Sequence, residues 1–279
     1  MNPKRQKMAD LPYGADSPLN AAVAKRDASV MDMVSEAVKH NQCVLAYQPV
    51  MQATGGRNIA FYEGFIRVLD ATDRVIPASQ FMPFVEDKEI GRELDCVALE
   101  QGLRALHQHD DIRLSINMSA RSIGYRRWAR VLQRFLKKNA SLGERLVLEI
   151  TESSAMSMPE IVIDFMAQMQ EHGIAFALDD FGAGNLAFQH FRDFFFDAVK
   201  IDGQFIRGIA TNFDNQCLTR ALIGTAQQFD MMTVAESVET REDAEFLISI
   251  GIDCLQGYLL GAPTIRPPWI EELSRKSRA

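Results

Sequence analysis

Short apolar runs alternate with amphipathic segments along most of the chain. The apolar runs are candidate β-strands, because a strand that is buried on both faces reads as a nearly continuous hydrophobic sequence. They occupy residues 43–51, 59–69, 112–119, 145–151, 174–180, 196–202, 231–237 and 252–260. Runs of this kind, separated by helical patterns, predict an α/β fold with a mainly parallel sheet that closes into a TIM-like (β/α)8 barrel.

The segments between these runs carry apolar residues at helical spacing, most clearly in 91–109, 159–173, 215–229 and 241–251. Gly173 and Gly251 follow two of these segments, as glycine commonly does at the C-terminus of a helix. A further helix is predicted to begin near Ser29. Residues 1–28 lack periodicity and are predicted to be a flexible N-terminal tail, followed by one barrel domain over residues 29–279.

Polar side chains occur where the predicted strands end. The carboxyl ends of parallel barrel strands meet at one rim, which is where barrel active sites lie. These side chains are Glu63, Asn117, Glu149, Asp179 with Asp180, Lys200 with Asp202, Glu236 and Gln256. A single acid at a strand end is commonly a helix cap, but several acids on one small rim would repel one another and take up protons unless cations were present. The pattern therefore favours a divalent metal site.

The types of ligand indicate which metal this site would bind. Carboxylate and amide oxygens favour Mg²⁺ or Mn²⁺ over zinc or copper. Adjacent acids such as Asp179 and Asp180 could help to bridge two metal ions, a pair that stabilises the attacking and leaving oxygens of a phosphoryl displacement. The residues alone therefore predict a metal-dependent barrel enzyme that acts on a phosphate ester or on an enolisable acid.

Composition limits the partners of the chain. Its 279 residues include 30 Lys and Arg against 37 Asp and Glu, a net charge of −7. This acidity argues against a broad surface for a nucleic acid polymer, although metal ions can reverse the local charge of a site and admit an anionic substrate. The sequence contains no apolar stretch of the ~20 residues that a membrane span needs. It also shows no secretory signal, so a cytoplasmic protein without a membrane segment is expected.

A series of short motifs resembles the EAL domain, the bacterial phosphodiesterase domain that hydrolyses cyclic di-GMP. The motifs are AYQPV (46–50), YEGFIR (62–67), LSINMSA (114–120), LVLEITES (146–153), ALDDFGAG (177–184), VKID (199–202), VAESVET (234–240) and LQGYLLGAP (255–263). The resemblance covers roughly residues 30–270. It implies a barrel whose first strand is antiparallel to the others, and hydrolysis of cyclic di-GMP to linear pGpG with two Mg²⁺ or Mn²⁺ ions per site.

The resemblance also implies a role for individual residues. The implied metal ligands are Glu63, Asn117, Glu149, Asp179, Asp180 and Glu236, with Asp179 shared between the two ions. The implied catalytic residues are Glu63 and Lys200, of which Lys200 would hold and polarise the hydrolytic water. The residues implied to contact the substrate are Gln48, Arg67 and Gln256. Glu152 would hold the loop that follows Asp180.

Two departures from the family pattern bear on activity. The signature reads Glu63-Gly64-Phe65 in place of Glu-Ala-Leu, which retains the acid and changes the packing. Residues 185–188 read Asn-Leu-Ala-Phe, where the family usually has Tyr-Ser-Ser-Leu. The hypotheses that remain are an active phosphodiesterase, a weak or inactive EAL domain that acts as a cyclic di-GMP receptor, and a metal-dependent lyase that uses Lys200 as a base.

The family commonly forms dimers, and a homodimer is expected here. In the family, the loop after the Asp pair links metal binding to the dimer interface. The segment that follows this loop is rich in phenylalanine, at positions Phe191, Phe194, Phe195 and Phe196. These side chains have two interpretations, either packing in the core between strands or an apolar dimer contact.

Overall fold

The computed structural model describes residues 18–56, 58–70, 72–184 and 192–270, with side chains from Arg26 onward. Within these residues, nine strands form a single sheet. They are β1 (Cys43–Gln52), β2 (Ile59–Leu69), β3 (Val75–Pro77), β4 (Leu114–Asn117), β5 (Leu146–Thr151), β6 (Ala175–Phe181), β7 (Ala198–Ile201), β8 (Met232–Ala235) and β9 (Cys254–Leu255).

The sheet closes into a barrel through β1. This strand pairs with both β2 and β9, and the neighbour order from β9 runs through β8, β7, β6, β5 and β4 to β2. β1 is antiparallel to both of its partners, whereas the other barrel strands pair in parallel. β3 extends the sheet as an antiparallel addition to β2. The predicted eight-strand barrel with an antiparallel first strand is thus confirmed, and each barrel strand corresponds to one of the predicted apolar runs.

Helices alternate with the parallel strands. They are α1 (Pro18–Lys39), α2 (Met82–Val85), α3 (Glu89–Gln108), α4 (Arg126–Leu136), α5 (Glu152–Ser157), α6 (Pro159–Gln170), α7 (Gly203–Ile206), α8 (Phe213–Gln228) and α9 (Arg241–Ser249). The four clearest predicted helices correspond to α3, α6, α8 and α9. Gly173 and Gly251 follow α6 and α9 with φ values of 77° and 87°, the left-handed conformation that ends a helix. Short 3-10 turns lie at Ala78–Gln80, Ala120–Ser122 and Ala140–Arg145.

The first helix is longer than the sequence pattern predicted. It begins at Pro18, well before the predicted start near Ser29, so the second half of the predicted tail is largely helical. Proline is well tolerated at the first position of a helix, and the alanines that follow it have the highest helix propensity. Further along the helix, Val34 and Ala37 are buried in a cluster that includes Val68 of β2. Residues 1–17 of the predicted tail lie outside the described residues.

Apolar strand and helix side chains pack together around the barrel. The main core includes Leu103 of α3, Leu148 of β5 and Phe176 of β6, all fully buried. The buried charged side chains that do not belong to this core include Glu63, Glu149 and Lys200. None of the helices within the described part of the chain combines the length and the apolar character that a bilayer crossing needs.

The phenylalanines before β7 occupy both of the predicted environments, the core and the surface. Phe194 and Phe196 are buried and lie 5.4 Å apart between ring centroids, so both belong to the core. Phe195 is 50% exposed and is available for a surface contact. Phe191 lies outside the described residues.

Candidate active site and metal centre

Lys200, on β7, lies at the centre of a cluster of acidic side chains. Its ammonium nitrogen lies within ion-pair distance of four carboxylates, at 2.6 Å from Glu236, 2.8 Å from Glu63, 2.8 Å from Glu149 and 3.3 Å from Asp179. The acids are contributed by β2, β5, β6 and the loop that follows β8. The fold therefore brings together side chains that are separated by up to 173 positions in the sequence.

The position of Glu63 differs from the prediction in one respect. The sequence placed it at the end of a strand, but it lies near the middle of β2. β2 continues to Leu69 because its last residues pair with β1 on one side and with β3 on the other. Glu63 still faces the barrel interior, where its cross-strand neighbour on β1 is Gln48. Its carboxylate is 1% exposed.

Asp179 and Asp180 lie side by side in a strand, where alternation would direct them to opposite faces. The pairing of β6 with β7 shifts register between Leu178 and Phe181, and Asp180 has a φ of 57°. This local irregularity has the character of a β-bulge, which redirects a side chain at the rim of a barrel. As a result, carboxylate oxygens of Asp179, Asp180 and Glu236 lie within 4.8 Å of one another.

The concentration of acids shifts their pKa values in opposite directions. Burial acts to raise the pKa of Glu63, but the charge of Lys200 and hydrogen bonds to the carboxylate outweigh it and leave the pKa lowered. Burial and the neighbouring Glu63 raise the pKa of Glu149 well above its ordinary value. Burial also raises the pKa of Glu236 to about 8, against the opposing charge of Lys200. One ammonium group therefore does not neutralise the cluster.

Two buried carboxylate oxygens of this cluster accept no hydrogen bond from the residues that the structure describes. They are Glu149 Oε1 and Asp179 Oδ1, the second of which lies 3.3 Å from Lys200 Nζ without hydrogen-bond geometry. Buried oxygens of this kind are costly unless a cation or a donor satisfies them. Together with the cluster of Asp179, Asp180 and Glu236, they form an all-oxygen set that fits Mg²⁺ or Mn²⁺.

Asn117 and two glutamines connect to Glu63. The amide nitrogen of Asn117 donates to Glu63 Oε1 at 2.7 Å, so a rotation of this amide would present its oxygen as a ligand instead. Gln256 Nε2 donates to Glu63 Oε2 at 2.7 Å and to Gln48 Oε1 at 3.2 Å. Gln48 Nε2 in turn donates to the carbonyl of Gly261 at 2.8 Å. The three predicted amide residues thus line the same acidic cluster.

Arg67 shares the inner face of β2 with Glu63 but does not join the ion-pair cluster. Its guanidinium carbon lies 5.3 Å from the centroid of the Phe65 ring, and Nη1 donates to the carbonyl of Ile66 at 3.0 Å. Gly64 fits closely in this strand, because an added Cβ would lie 2.8 Å from the Ile116 side chain. The altered signature is thus accommodated by packing around β2, and Glu63 keeps its place.

Glu152, at the start of α5, contacts the loop that follows β6. Its Oε2 accepts a hydrogen bond from the backbone N–H of Gly182 at 3.1 Å. Gly184 packs against the same carboxylate so closely that any side chain at that position would overlap it. Residues 185–188, where the sequence departs from the family pattern, lie outside the described residues.

Asp202 is a site residue to which the sequence analysis gave no role. Its side chain forms a hydrogen bond with Asp180, which contributes to raising the pKa of Asp180 to about 6 after burial and the charge of Asp179. Asp202 Oδ1 also accepts from the backbone N–H of Gln204 at 2.6 Å and caps α7. Asp202 lies two positions after Lys200, and alternate residues of a strand share one face. This spacing is the sequence feature that could have indicated its place in the site.

The fold and the site define a class of protein, an α/β barrel with a buried cluster of acids around one lysine at the end where its parallel strands terminate. Comparison with known sequences identifies the family within that class. The model of the EAL domain matches residues 31–263. The chain therefore belongs to the EAL domain family, as its motifs indicated.

The curated relatives are longer proteins. The cyclic di-GMP phosphodiesterase PdeF of Escherichia coli is 30% identical over 243 residues, which cover 86% of this chain and 32% of PdeF. The bifunctional diguanylate cyclase/cyclic di-GMP phosphodiesterase MucR of Pseudomonas aeruginosa is 27% identical over 253 residues, covering 89% of this chain and 37% of MucR. The chain spans about a third of the length of these relatives.

Solved structures support the same fold. The PaMucR phosphodiesterase in complex with c-di-GMP is 27% identical and superimposes with a TM-score of 0.75, covering 88% of this chain and 99% of that one. The FimX EAL domain from Pseudomonas aeruginosa bound to c-di-GMP gives a TM-score of 0.77 at 22% identity, with 85% and 97% of the two chains covered. At that identity, the likeness to FimX concerns the fold alone.

Proposed function

We propose that this chain hydrolyses cyclic di-GMP to linear pGpG with the help of bound Mg²⁺ or Mn²⁺. The single observation that carries the proposal is the Lys200 ammonium among Glu63, Glu149, Asp179 and Glu236. Each of these residues lies in one of the motifs that resemble the EAL domain. Membership of the EAL family and the phosphodiesterase activity named for PdeF and PaMucR support the choice of reaction.

The residues that would hold two metal ions are Glu63, Asn117, Glu149, Asp179, Asp180 and Glu236. Bound ions would supply charge neutralisation for a phosphodiester and would lower the pKa of a coordinated water toward ~7. Glu149 Oε1 and Asp179 Oδ1, which accept no hydrogen bond from the described residues, are the features of this chain that support occupancy by a cation. Two divalent cations would also offset most of the local negative charge, so the net charge of −7 does not prevent binding of an anionic dinucleotide.

Lys200 is the residue that we assign to the attacking water. Burial acts to lower its pKa, but the surrounding carboxylates outweigh this and raise it well above its usual value, so the ammonium keeps its charge. An ammonium in this place donates hydrogen bonds to a water oxygen and orients it toward phosphorus. In the proposed reaction, the water oxygen would form a bond to phosphorus as the bond from phosphorus to the 3′ oxygen breaks. The water would lose one proton and the 3′ oxygen would gain one, so that one water is added and the ring opens.

Three further residues are assigned to the substrate. Gln48 and Gln256 line the cluster with amide groups, and the buried Oε1 of Gln256 accepts no hydrogen bond within the described residues. Arg67 presents a guanidinium two positions beyond Phe65 on the same strand face. A guanidinium suits a phosphate or the acceptor edge of guanine, because its planar fork can donate two parallel hydrogen bonds.

The proposal is tested by incubating the purified chain with cyclic di-GMP and Mg²⁺ or Mn²⁺ and separating the products by chromatography. We expect linear pGpG, no turnover in the presence of a chelator, and a loss of at least about a hundredfold in kcat for Glu63→Gln, since a metal ligand is removed. Glu171→Gln, at an exposed glutamate after α6, is the matched control. A chain that binds the dinucleotide with metal present and never forms pGpG would contradict the proposal.

That outcome would instead support the receptor hypothesis. The observation that favours a receptor is the altered segment 185–188, which follows the Glu152-bound part of the loop. A receptor would bind cyclic di-GMP equally with Glu63 or Gln at position 63 if the metal were dispensable. The lyase hypothesis makes a separate prediction, the exchange of a carbon-bound proton of a carboxylic acid with solvent, without phosphodiesterase activity.

Three expectations from the sequence stay predictions. We propose a homodimer, which sedimentation velocity would reveal as a species of about twice the 31.3 kDa chain mass. The exposed Phe195 is a candidate contact for it. The cytoplasmic location also stays a prediction. So does the division into a tail over 1–28 and a domain over 29–279, although one helix, Pro18–Lys39, crosses that boundary.

A further inference from the structure

The loop that follows β8 carries Glu236 and has an unusual backbone conformation. Ser237 has a φ of 55°, in the left-handed region that side chains other than glycine rarely adopt. The residues on both sides are held by backbone hydrogen bonds. Glu236 N–H donates to the carbonyl of Ile201 at 3.3 Å, and Val238 N–H donates to that of Gln256 at 2.9 Å. The strained residue thus lies between two fixed points, one of which is a proposed metal ligand.

The side chain of Ser237 fits against α7 at a position where that helix has no side chain. A Cβ added to Gly203 would lie 2.5 Å from Ser237 Oγ, so glycine at 203 and serine at 237 are sterically matched. Arg207, at the end of the same helix, donates from Nη2 to Ser237 Oγ at 2.9 Å. Its Nε lies 3.8 Å from a carboxylate oxygen of Glu239. Arg207 therefore contacts the loop on both sides of Val238.

We infer that Arg207 and Ser237 are positioning residues that hold Glu236 in place as a metal ligand; this role rests on the proposed metal-dependent function. The Glu236 carboxylate lies 2.6 Å from Lys200 Nζ and within 4.8 Å of the nearest oxygens of Asp179 and Asp180. A small rotation at Ser237 would move it out of this set. The hydrogen bond from Arg207 to Ser237 Oγ offsets the strain at Ser237 and selects the backbone conformation that directs Glu236 inward.

Ser237→Gly separates this role from a purely structural one. Glycine adopts a positive φ without strain, so we expect the thermal unfolding midpoint of the metal-free protein to stay the same or rise. The same change removes the acceptor for Arg207 and frees the loop, so we expect the dissociation constant for Mn²⁺ to rise about tenfold. Replacing a residue that only stabilised the fold would lower the unfolding midpoint of the metal-free protein, and any loss of Mn²⁺ affinity would accompany that loss of stability.

The experiment is a calorimetric titration of the full chain with Mn²⁺ alone, without substrate, together with measurement of kcat and KM for cyclic di-GMP across a range of Mn²⁺ concentrations. We expect Arg207→Ala to match the loss of Mn²⁺ affinity seen for Ser237→Gly, and Arg207→Lys to recover part of it, because lysine keeps the charge but not the two-pronged geometry. The lowered kcat should return at high Mn²⁺ with KM unchanged. Arg104→Ala, which removes the exposed pair of Arg104 with Glu100 at 2.6 Å, is the matched control.

Two results would overturn the inference. If the wild-type chain binds Mn²⁺ and the Ser237 and Arg207 variants bind it within twofold, the positioning role is wrong while the proposed metal centre stands. If the wild-type chain binds no Mn²⁺, the metal centre is wrong and the positioning role is wrong with it. Folding of each variant is checked by its far-ultraviolet circular dichroism, and Arg207→Lys provides the more conservative variant if Arg207→Ala does not fold.

Discussion

The ammonium of Lys200 lies 2.8 Å from a carboxylate oxygen of Glu63, and both side chains are 1% exposed. Removing one member of a buried pair is far more costly than removing a surface pair, because an uncompensated charge stays behind. Lys200 also contacts the carboxylates of Glu149, Asp179 and Glu236. It is therefore both a proposed catalytic residue and the main counter-charge of the metal-free site.

Lys200→Met tests this second role. We expect the metal-free variant to lose about 3–5 kcal/mol in free energy of unfolding at neutral pH, the usual cost of breaking a buried ion pair. Divalent cations should restore more stability to the variant than to the wild type, since they would supply the missing positive charge. Urea unfolding with a chelator and with Mn²⁺ measures both effects. Lys39→Met, at an exposed lysine 3.5 Å from Glu36, is the control, and equal losses in the two variants would contradict the prediction.

Glu236 predicts a pH dependence of metal binding. Its pKa of about 8 means that the metal-free site holds a proton on this carboxyl group at neutral pH, and a ligand must be deprotonated. Binding of Mn²⁺ at pH 7 should therefore release protons, and the apparent affinity should fall by up to about tenfold for each pH unit below 8. Calorimetry in buffers of different ionisation enthalpy counts the protons. Glu245→Gln, at an exposed glutamate, should leave the count unchanged, and an affinity that is constant from pH 6.5 to 8.5 would contradict the prediction.

Glu152→Ala tests the support of the loop after β6. The carboxylate accepts from the N–H of Gly182 at 3.1 Å, and hydrogen bonds to charged groups contribute about 1.5–3 kcal/mol. Without this acceptor, hydrogen exchange at Gly182 should accelerate by about tenfold or more, a change that mass spectrometry of a peptide spanning the loop detects. Glu160→Ala, at an exposed acid on α6, is the control. Unchanged exchange at Gly182 would show that the loop is held by other contacts.

The barrel could be predicted from the sequence because its signals are local. Each strand appears as an apolar run and each polar strand end as a break in it, so every barrel strand could be identified. The start of α1 was less predictable, because the sequence before Ser29 shows no clear apolar periodicity. The helix nevertheless begins at Pro18, in a segment where alanines favour helix formation.

The sequence was sufficient to predict which acids form the site. It was not sufficient to predict the backbone conformations that orient their side chains toward one another. Regular strand alternation would separate Asp179 from Asp180, and only the register shift and the positive φ of Asp180 bring them together. Glu63 was expected at a strand end, although the apolar run itself continues to Leu69, and β2 follows the whole of that run. The contact of Arg207 with Ser237 joins residues 30 positions apart and has no periodic signal at all.

Asp95 predicts a pH dependence of stability that is separate from the metal site. It is a buried acid on α3 whose Oδ2 accepts from Ser122 Oγ at 2.6 Å and from the N–H of Ser119 at 3.1 Å. Burial raises its pKa from 3.8 to about 6 in spite of these two hydrogen bonds. Between these pH values the folded state binds more protons than the unfolded state. Stability is therefore lost as pH rises through this window and is constant above it.

Asp95→Asn removes this titration while the amide oxygen can still accept both hydrogen bonds. The rise in the pKa of Asp95 from 3.8 to about 6 corresponds to about 3 kcal/mol, so the variant should be more stable than the wild type by up to that amount at pH 7. The difference should shrink toward zero near pH 4, where Asp95 is protonated in the folded state. Urea unfolding of both proteins at pH 4, 5, 6 and 7 measures this difference.

The control is Asp110→Asn, at an aspartate whose side chain is 92% exposed, and its stability should equal that of the wild type at each pH. A difference between Asp95→Asn and the wild type that stays constant from pH 4 to 7 would show that Asp95 does not titrate in this range.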